Sequence, residues 1–366
     1  MAADQVYNIV LDVMGDETGE ERIIQGGIDA AVSLHGSARV TFVGPKPAIE
    51  AILARKNDLP DNLDIRHAES VVPMHISATD GVRMRDSSIA VGLKLVKAGE
   101  ADAFVSPGNT GAVMGTALLT LGRIEDVSRP AITAMFPTAT GRPTIVLDVG
   151  ANADCKPLHL SQFAVMGSVY SSIVFNNESP RVGLLSIGEE RSKGNELIFA
   201  ARKLLQGSKI NFVGNIEGRD ILSGTVDVAV TDGFTGNIML KFAESIKPML
   251  MKSVQRQVQT NLFSRIGVML LLPFMKRMKS VLDYAESGGA PLLGVNGNVI
   301  ICHGSSNSRA IANAIKVAYE MSANKIKQRI HDELITNHFG QSNGAKNKSE
   351  NNRDWIVYSA AADDKR

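Results

Sequence analysis

The sequence predicts an α/β protein in which helices cover both faces of a mainly parallel sheet. Short runs rich in β-branched residues alternate with longer segments of helical periodicity along nearly the whole chain of 366 residues. Gly is plentiful at 33 residues, whereas aromatic residues make up only 5%. This balance is typical of an enzyme built around tight backbone turns rather than of an aromatic-rich recognition surface.

The predicted elements follow from these local patterns. Strands are predicted at residues 8–13, 39–43, 103–105, 144–148, 181–186, 226–230 and 298–301. Helices are predicted at residues 21–34, 87–97, 158–170 and 196–205. Ligands bind outside the carboxyl ends of the strands in sheets of this kind, so we expect the chemistry in the loops that follow strands.

Composition and charge exclude several classes of protein. A net charge of +1 argues against a dedicated nucleic-acid binder, which normally carries a basic excess. Two cysteines provide neither a disulfide framework nor a Cys-rich metal cage, so we expect no metal. The longest mostly apolar run, 266–275, is far shorter than the roughly 20 residues that span a bilayer. With no signal-peptide pattern at the N-terminus, a cytoplasmic protein is expected.

Four predicted strand ends share one chemical character, Gly combined with Asn, Asp, Ser or Thr. These strand ends are residues 106–111, 148–152, 231–237 and 302–307. The first of them, containing Gly108-Asn-Thr-Gly111, is the best anion site, because unpaired N–H groups and the helix dipole at a helix start favour negative charge. The alternative is a tight turn that needs Gly for a positive φ.

Neither of the common nucleotide-binding signatures is present. The loop lacks Gly-x-Gly-x-x-Gly and Gly-x-x-x-x-Gly-Lys-Ser/Thr, so no dinucleotide or ATP cofactor is expected. Cys302 and His303 are adjacent on a strand end and point to opposite sides, which disfavours a thiol–imidazole catalytic pair. No Gly-x-Ser-x-Gly elbow indicates a serine hydrolase.

Other candidate residues each have a structural alternative. Lys193 precedes a predicted helix, where its charge opposes the helix dipole and a bound anion would offset the cost; it could equally be a solvated surface residue. Asp232 and Asn237 flank a Gly-rich turn and could be helix caps. Asp148 and Asn152 could be turn formers.

A basic and apolar segment follows the strand end at 231–237. Apolar residues recur at helical spacing over about 237–262, and residues 245–282 contain seven basic residues and no acidic residue. A buried helical hairpin or subunit interface, a contact with anionic lipid, and docking of an acidic protein are all compatible with this pattern. The tail at 339–366 is polar, and we expect it to be disordered.

These motifs, taken in order, resemble the family of bacterial phosphate acyltransferases (PlsX). The motifs are Arg85-Asp-Ser-Ser88, Ser106-Pro-Gly-Asn-Thr-Gly-Ala112, Leu147-Asp-Val-Gly-Ala-Asn152, Arg181-Val-Gly-Leu-Leu-Ser-Ile-Gly188, Lys193-Gly-Asn195, Asp232-Gly-Phe-Thr-Gly-Asn237, Gly288-Gly-Ala-Pro-Leu-Leu-Gly294 and His303-Gly-Ser-Ser306. The similarity runs from about residue 10 to 318. Two departures are a missing Gly before Asp16 and Pro107, where the family usually has Ala.

The resemblance implies an enzyme that transfers a long-chain acyl group from acyl carrier protein to inorganic phosphate, giving acyl phosphate for phospholipid synthesis. It also implies a three-layer α/β/α Rossmann-like fold of the phosphotransacetylase and isopropylmalate dehydrogenase type, with a long protruding helical hairpin at about 237–283 inside one domain at 1–338. A homodimer in peripheral contact with an anionic membrane is implied as well.

The reaction assigns roles to the matched residues. The catalytic residues are predicted to be Lys193, which neutralises the two anions, Asn237 as oxyanion donor, and Asp232 or His303 as groups that orient phosphate or manage its proton. Phosphate or substrate binding is predicted for Gly108, Asn109, Thr110, Gly111, Asp148, Asn152, Asn195, Gly304 and Ser305. Membrane or partner contact is predicted for Leu270, Leu271, Leu272, Phe274, Lys276, Arg277 and Lys279.

Two other functions remain open on sequence grounds. A short-chain phosphotransacetylase acting on acyl-coenzyme A shares the chemistry, but it would not need the basic apolar segment. A non-catalytic membrane scaffold explains that segment but leaves the polar strand ends without a role. An NAD-dependent dehydrogenase of related fold is less favoured than either.

Overall fold

The computed structural model describes residues 5–14, 19–258, 288–337 and 339. The chain divides into two compact units. Unit 1 contains Met1–Pro130, Val169–Glu178 and Ala285–Arg366, and unit 2 contains Ala131–Ser168 and Ser179–Tyr284. The expectation of one catalytic domain over residues 1–338 stays a prediction.

Strands and helices alternate along the chain as the sequence predicts. The strands are β1 Tyr7–Asp12, β2 Ala38–Gly44, β3 Leu63–His67, β4 Ala103–Ser106, β5 Ala131–Phe136, β6 Thr144–Leu147, β7 Val182–Leu185, β8 Phe212–Ile216, β9 Val228–Val230, β10 Ala290–Leu293 and β11 Asn298–Ile301. The helices are α1 Glu20–Ser33, α2 Lys46–Leu53, α3 Ala78–Arg83, α4 Ser88–Ala98, α5 Thr110–Leu121, α6 Pro157–Val174, α7 Glu196–Gln206, α8 Gly218–Ser223, α9 Gly233–Val258, α10 Ser308–Ala323 and α11 Ile326–Asn337.

In unit 1 the strand order is β3-β2-β1-β4-β11-β10. The first five of these strands are parallel, and β10 runs antiparallel to β11. The carboxyl ends of β1, β4 and β11 therefore lie at one edge of the sheet. Register confirms this, since Ile301 at the end of β11 pairs with Ser106 at the end of β4.

Helices cover both faces of the unit 1 sheet. A Cβ added to Gly27 of α1 would lie 3.0 Å from Leu11, and one added to Gly92 of α4 would lie 3.2 Å from Val10. Because consecutive residues of a strand point to opposite faces, α1 and α4 pack on opposite sides of β1. This confirms the three-layer arrangement for unit 1.

In unit 2 the strand order is β5-β6-β9-β7-β8. The strands β6, β9, β7 and β8 are parallel, whereas β5 is antiparallel to β6. The loops that follow β6, β9 and β7 consequently start from the same edge of this sheet. These loops carry most of the unit 2 residues that the sequence singles out.

The predicted elements agree closely with the observed ones. All seven predicted strands are present with bounds within two residues, and α6 runs four residues beyond its predicted end. The hairpin predicted at about 237–283 is described only as far as the end of α9, and the proposed membrane contacts at 270–279 lie outside the described residues. Among the helices that the structure describes, none is long and apolar enough to cross a membrane.

Candidate functional site

Two loops of unit 1 meet where β4 and β11 end. The Cys302 N–H donates a hydrogen bond to the Ser106 carbonyl at 2.8 Å, which joins the last residue of β4 to the loop after β11. A Cβ added to Gly304 would lie 3.8 Å from the Pro107 carbonyl oxygen. The predicted phosphate loop and the His303–Ser306 loop are therefore neighbours.

The start of α5 offers free backbone donors. Asn109 caps the helix, with its side-chain oxygen accepting from the Ala112 N–H at 3.0 Å. Within the described residues, the N–H groups of Thr110 and Gly111 have no acceptor, as expected for the first positions of a helix. These two donors and the helix dipole provide the attraction for an anion that the sequence predicts.

Asn109 itself is occupied within the protein. Its side-chain N–H groups donate to the carbonyls of Met74 at 3.2 Å and Ile76 at 3.0 Å. Asn109 therefore fixes the helix start to the segment before α3. Its predicted contact with phosphate or substrate stays a prediction.

The two glycines of this loop serve close packing. The alternative explanation, a turn that needs positive φ, is wrong for both, because neither Gly108 nor Gly111 has a positive φ. A Cβ added to Gly111 would lie 2.7 Å from the Ala78 Cβ, and one added to Gly108 would lie 3.1 Å from the Ser106 Oγ. Gly111 thus lets α5 approach α3, and Gly108 lets the loop approach the end of β4.

His303 is exposed and has a defined tautomer. The Ser305 N–H donates to Nδ1 of His303 at 3.1 Å, and the Ser305 hydroxyl lies 2.7 Å from the same nitrogen. Because Nδ1 accepts a hydrogen bond from a backbone N–H, the neutral ring carries its proton on Nε2. His303 therefore presents an N–H donor, which suits orientation of an anion better than abstraction of a proton.

Sequence reasoning did not select Asp12 as a site residue. Asp12 ends β1 with a side chain only 1% exposed, and its Oδ2 accepts from the Ser106 hydroxyl at 2.7 Å. The Ser106 Oγ in turn accepts from the Gly108 N–H at 3.0 Å. Burial raises the pKa of Asp12 to about 6, against the opposing effect of its hydrogen bonds. The available signal was a carboxylate at the end of an apolar strand.

In unit 2, Asp148 organises the loop after β6. The side chain is fully buried, and its two oxygens accept five hydrogen bonds of 2.7–3.2 Å, one of them from Ile132 at the start of the neighbouring strand. The other four come from residues 150–152, including the backbone and side-chain amides of Asn152. Burial raises the pKa of Asp148, and the N–H donors act in the opposite direction. Asp148 and Asn152 thus shape the loop.

The start of α9 packs directly on this loop. Asp232 caps α9, accepting from the Thr235 N–H at 2.8 Å and the Thr235 hydroxyl at 2.9 Å. The Gly233 N–H donates to the Asn152 carbonyl at 2.8 Å. Asn237 is exposed, and a Cβ added to Gly150 would lie 3.5 Å from its side-chain oxygen. The structure therefore brings together Asp148, Asn152, Asp232 and Asn237.

Lys193 lies in the loop between β7 and α7, at the same edge of the unit 2 sheet. Its side chain is exposed, and its backbone N–H donates to the Glu190 carbonyl at 3.0 Å. Asn195 caps α7, with its side-chain oxygen accepting from the Ile198 N–H at 3.0 Å. Lys193 is thus the one candidate of this loop with a charged group directed to solvent.

Neither cysteine is poised as a nucleophile. Burial raises the pKa of Cys302 to about 12. Burial, together with the nearby charge of Asp148, raises the pKa of Cys155 to about 12 as well. Both thiols therefore stay protonated near neutral pH, and a thiol is a far weaker nucleophile than a thiolate.

Comparison with known proteins identifies relatives over most of the chain. The family described as "Fatty acid synthesis protein" matches residues 7–329. A phosphate acyltransferase from Geobacter sp. (strain M21) is 45% identical over 327 residues, covering 89% of this chain and 92% of the relative. Another phosphate acyltransferase, from Moorella thermoacetica, is 48% identical over 311 residues, covering 85% of this chain and 91% of the relative.

Solved structures with the same fold are more distant in sequence. A phosphotransacetylase from Streptococcus pyogenes has a TM-score of 0.60 at 17% identity, covering 87% of this chain and 94% of its own. The EutD phosphotransacetylase from Staphylococcus aureus has a TM-score of 0.57 at 18% identity, covering 87% of this chain and 95% of its own. At this identity the similarity establishes the fold alone.

Proposed function

The chain belongs to the fatty acid synthesis protein family, and we propose that it transfers a long-chain acyl group from acyl carrier protein to inorganic phosphate. It is an acyltransferase, like its relatives that are named phosphate acyltransferase, and its product is acyl phosphate. The observation that carries the phosphate half of the proposal is the pair of free N–H groups at the start of α5, beside the His303–Ser306 loop.

Phosphate binding is assigned to the strand-end edge of unit 1. The N–H groups of Thr110 and Gly111 have no acceptor among the described residues, and the α5 dipole adds to their attraction for a dianion. The protonated Nε2 of His303 supplies a further donor from the adjacent loop. Three N–H donors, two at the start of α5 and one in the loop after β11, suit recognition and alignment of a phosphate group.

Activation of the acyl carbonyl is assigned to the strand-end edge of unit 2. Asn237 is exposed near the start of α9, and its amide N–H can donate to the oxyanion that forms when the thioester is attacked. Lys193, also exposed, can neutralise negative charge as two anionic substrates come together. Asp232 supports Asn237 by capping the helix that carries it.

Transfer proceeds directly, without an acyl-enzyme. A phosphate oxygen attacks the thioester carbon, the new C–O bond forms, the C–S bond breaks, and the thiolate leaves and takes up a proton. A thioester is already activated, so positioning and oxyanion stabilisation suffice. The raised pKa of both Cys155 and Cys302 supports this route, since neither thiol competes with phosphate as nucleophile.

The proposal extends to the partners of the enzyme. Large apolar side chains of α9 are exposed at spacings of four residues, namely Phe234, Ile238 and Phe242. Such a face supports a homodimer seam or an acyl-chain channel along α9. The basic residues between 245 and 282 support attraction to acidic acyl carrier protein and to an anionic membrane surface.

The first experiment measures free thiol released from palmitoyl-acyl carrier protein, with and without inorganic phosphate, while acyl phosphate is followed as product. Phosphate-dependent release with acyl phosphate formed is expected. Release without phosphate would indicate a thioesterase. Turnover of acetyl-coenzyme A alone would favour the short-chain phosphotransacetylase.

The role of Lys193 is tested with a matched lysine. Lys193→Ala should lower kcat/KM by about 100-fold, as expected when a charge that stabilises the transition state is removed. Lys203→Ala, which removes an exposed lysine from α7 of the same unit, should stay close to the unmodified enzyme. Near-full turnover in the Lys193 variant would exclude the proposed role.

A further inference from the structure

A hydrogen-bonded chain of three groups lies behind the start of α5. Its members are the buried carboxylate of Asp12, the hydroxyl of Ser106 and the backbone N–H of Gly108, linked at 2.7 Å and 3.0 Å. Asp12 lies 94 positions before Ser106 in the sequence, and both side chains are at most 1% exposed. We propose that Asp12 is a positioning residue for phosphate binding, which acts through Ser106 and Gly108 on the N–H donors of α5.

The direction of each hydrogen bond is fixed by its donors. The Gly108 N–H can only donate, so the Ser106 Oγ accepts it and the hydroxyl proton is free for another partner. That proton points to Oδ2 of Asp12, while Oδ1 accepts from the Met14 N–H at 3.1 Å. Both oxygens of the carboxyl are therefore acceptors, as in the ionised form. A pKa of about 6 for Asp12 leaves the carboxyl ionised near pH 7.5.

The chain of bonds determines where the anion donors stand. Gly108 comes two residues before the start of α5 at Thr110, so its anchored N–H fixes the path of the backbone into the helix. A Cβ added to Gly108 would lie 3.1 Å from the Ser106 Oγ and 3.4 Å from Oδ2 of Asp12. The loop therefore rests directly on these two side chains. Without the carboxylate, the Ser106 hydroxyl is free to rotate and Gly108 loses its fixed acceptor.

The negative charge of Asp12 does not attract phosphate. Asp12 therefore differs from a residue that binds phosphate directly. Asp12 acts through geometry. N–H donors that are held in place before the anion arrives lose no further conformational entropy when it binds. The inference rests on the proposed phosphate site. It predicts that loss of Asp12 weakens phosphate binding selectively, with little change for the acyl donor.

The test compares Asp12→Asn and Ser106→Ala with Thr41→Val. The last variant removes another buried hydroxyl of the same sheet, which donates to Asn8 at 2.8 Å and lies outside the chain of bonds. Each of the first two changes should raise KM for phosphate about tenfold, as for loss of a hydrogen bond to a charged group. KM for the acyl donor should change less than twofold, and Thr41→Val should leave both KM values unchanged.

The double variant and direct binding sharpen the test. Because both changes break one chain of bonds, Asp12→Asn with Ser106→Ala should cost no more than either change alone. Titration calorimetry with inorganic phosphate should show the same tenfold loss without turnover. The positioning role would be overturned if the double variant lost affinity by the product of the two single losses. It would also be overturned if the KM values for phosphate and acyl donor rose equally, or if the affinity for phosphate did not change.

Two outcomes are kept separate by this design. If the unmodified enzyme forms no acyl phosphate and binds no phosphate, the proposed function fails. If it does both and the Asp12 variant behaves like Thr41→Val, only the positioning role fails. Gly108→Ala provides the same measurement from the loop side in case Asp12→Asn does not fold, since the added methyl presses on Ser106.

Discussion

Gly236 at the start of α9 fixes the position of the proposed oxyanion donor Asn237. A Cβ added to Gly236 would lie 1.9 Å from the backbone oxygen of Asp148, whereas ordinary contacts begin at 3.4 Å. Gly236→Ala must therefore move α9 and the Asp148 loop apart by about 1.5 Å, the difference between these two distances. Neither group is the end of a flexible side chain, so the backbone itself has to shift.

The structural cost has two parts. Forcing a methyl group into a packed contact of this kind destabilises by about 3 kcal/mol, the upper end for added methylene groups. Displacement of Asn237 by more than 1 Å from its place against Gly150 should lower kcat by about 100-fold. Both effects arise from one added carbon.

Gly218→Ala is the matched control. Gly218 begins α8 in the same unit, and a Cβ added there would meet nothing within 4 Å. Gly218→Ala should leave activity unchanged and raise the free energy of unfolding by up to about 1 kcal/mol, because Ala loses less backbone entropy than Gly on folding. Urea unfolding followed by circular dichroism, together with the acyl phosphate assay, measures both quantities. If Gly236→Ala unfolds at the same urea concentration as Gly218→Ala and retains full turnover, close packing on Asp148 does not position Asn237.

Three further changes test other parts of the molecule. Asn109→Ala should lower the free energy of unfolding by about 2–3 kcal/mol, since it removes a helix cap and two hydrogen bonds to residues 74 and 76. Asn109→Ser keeps a capping oxygen and should recover about 1 kcal/mol of this loss, as measured by thermal unfolding. The pKa of Asp12 is about 6 in the folded protein against 3.8 when unfolded, so the folded state holds the proton more tightly. The free energy of unfolding should therefore fall by about 2 kcal/mol as the pH rises from 4 to 6. Asp12→Asn should lose that slope in unfolding titrations. Leu271→Glu should abolish co-sedimentation with anionic vesicles, while unchanged sedimentation would contradict the membrane contact.

Much of the fold could be read from local patterns. Strands such as β4 and β11 are apolar runs that end at Gly-rich polar loops, and helices such as α7 begin after an Asn cap. Four of the described strands were missed, namely β3, β5, β8 and β10. Of these, β3 is largely exposed, and β5 is an antiparallel strand whose pairing with β6 depends on residues up to 14 positions away. Long-range pairing is not encoded in any window of sequence around the strand.

The sequence indicates which loops form the candidate site but not which partners each side chain in them has. The loops at Gly108 and Asn237 were found because polar, Gly-rich segments follow strands. Asp148 accepts five N–H hydrogen bonds, and the side chain of Asn109 both caps α5 and donates to residues 74 and 76, so both residues shape their loops. Their role in binding phosphate or substrate stays a prediction. A side chain's hydrogen-bond partners are set by tertiary packing, so composition alone does not tell a cap from a ligand.

The sequence by itself determined the fold class, seven of the eleven described strands, the loops proposed to carry the chemistry and the family, because periodicity and ordered motifs are properties of the chain. Only the tertiary structure decided which groups are free to act. It joined Asp12 to Ser106 across 94 residues, left the N–H groups of Thr110 and Gly111 without an acceptor among the described residues, and set the tautomer of His303. These features depend on which distant segments share one sheet edge, where burial and hydrogen-bond direction are fixed together.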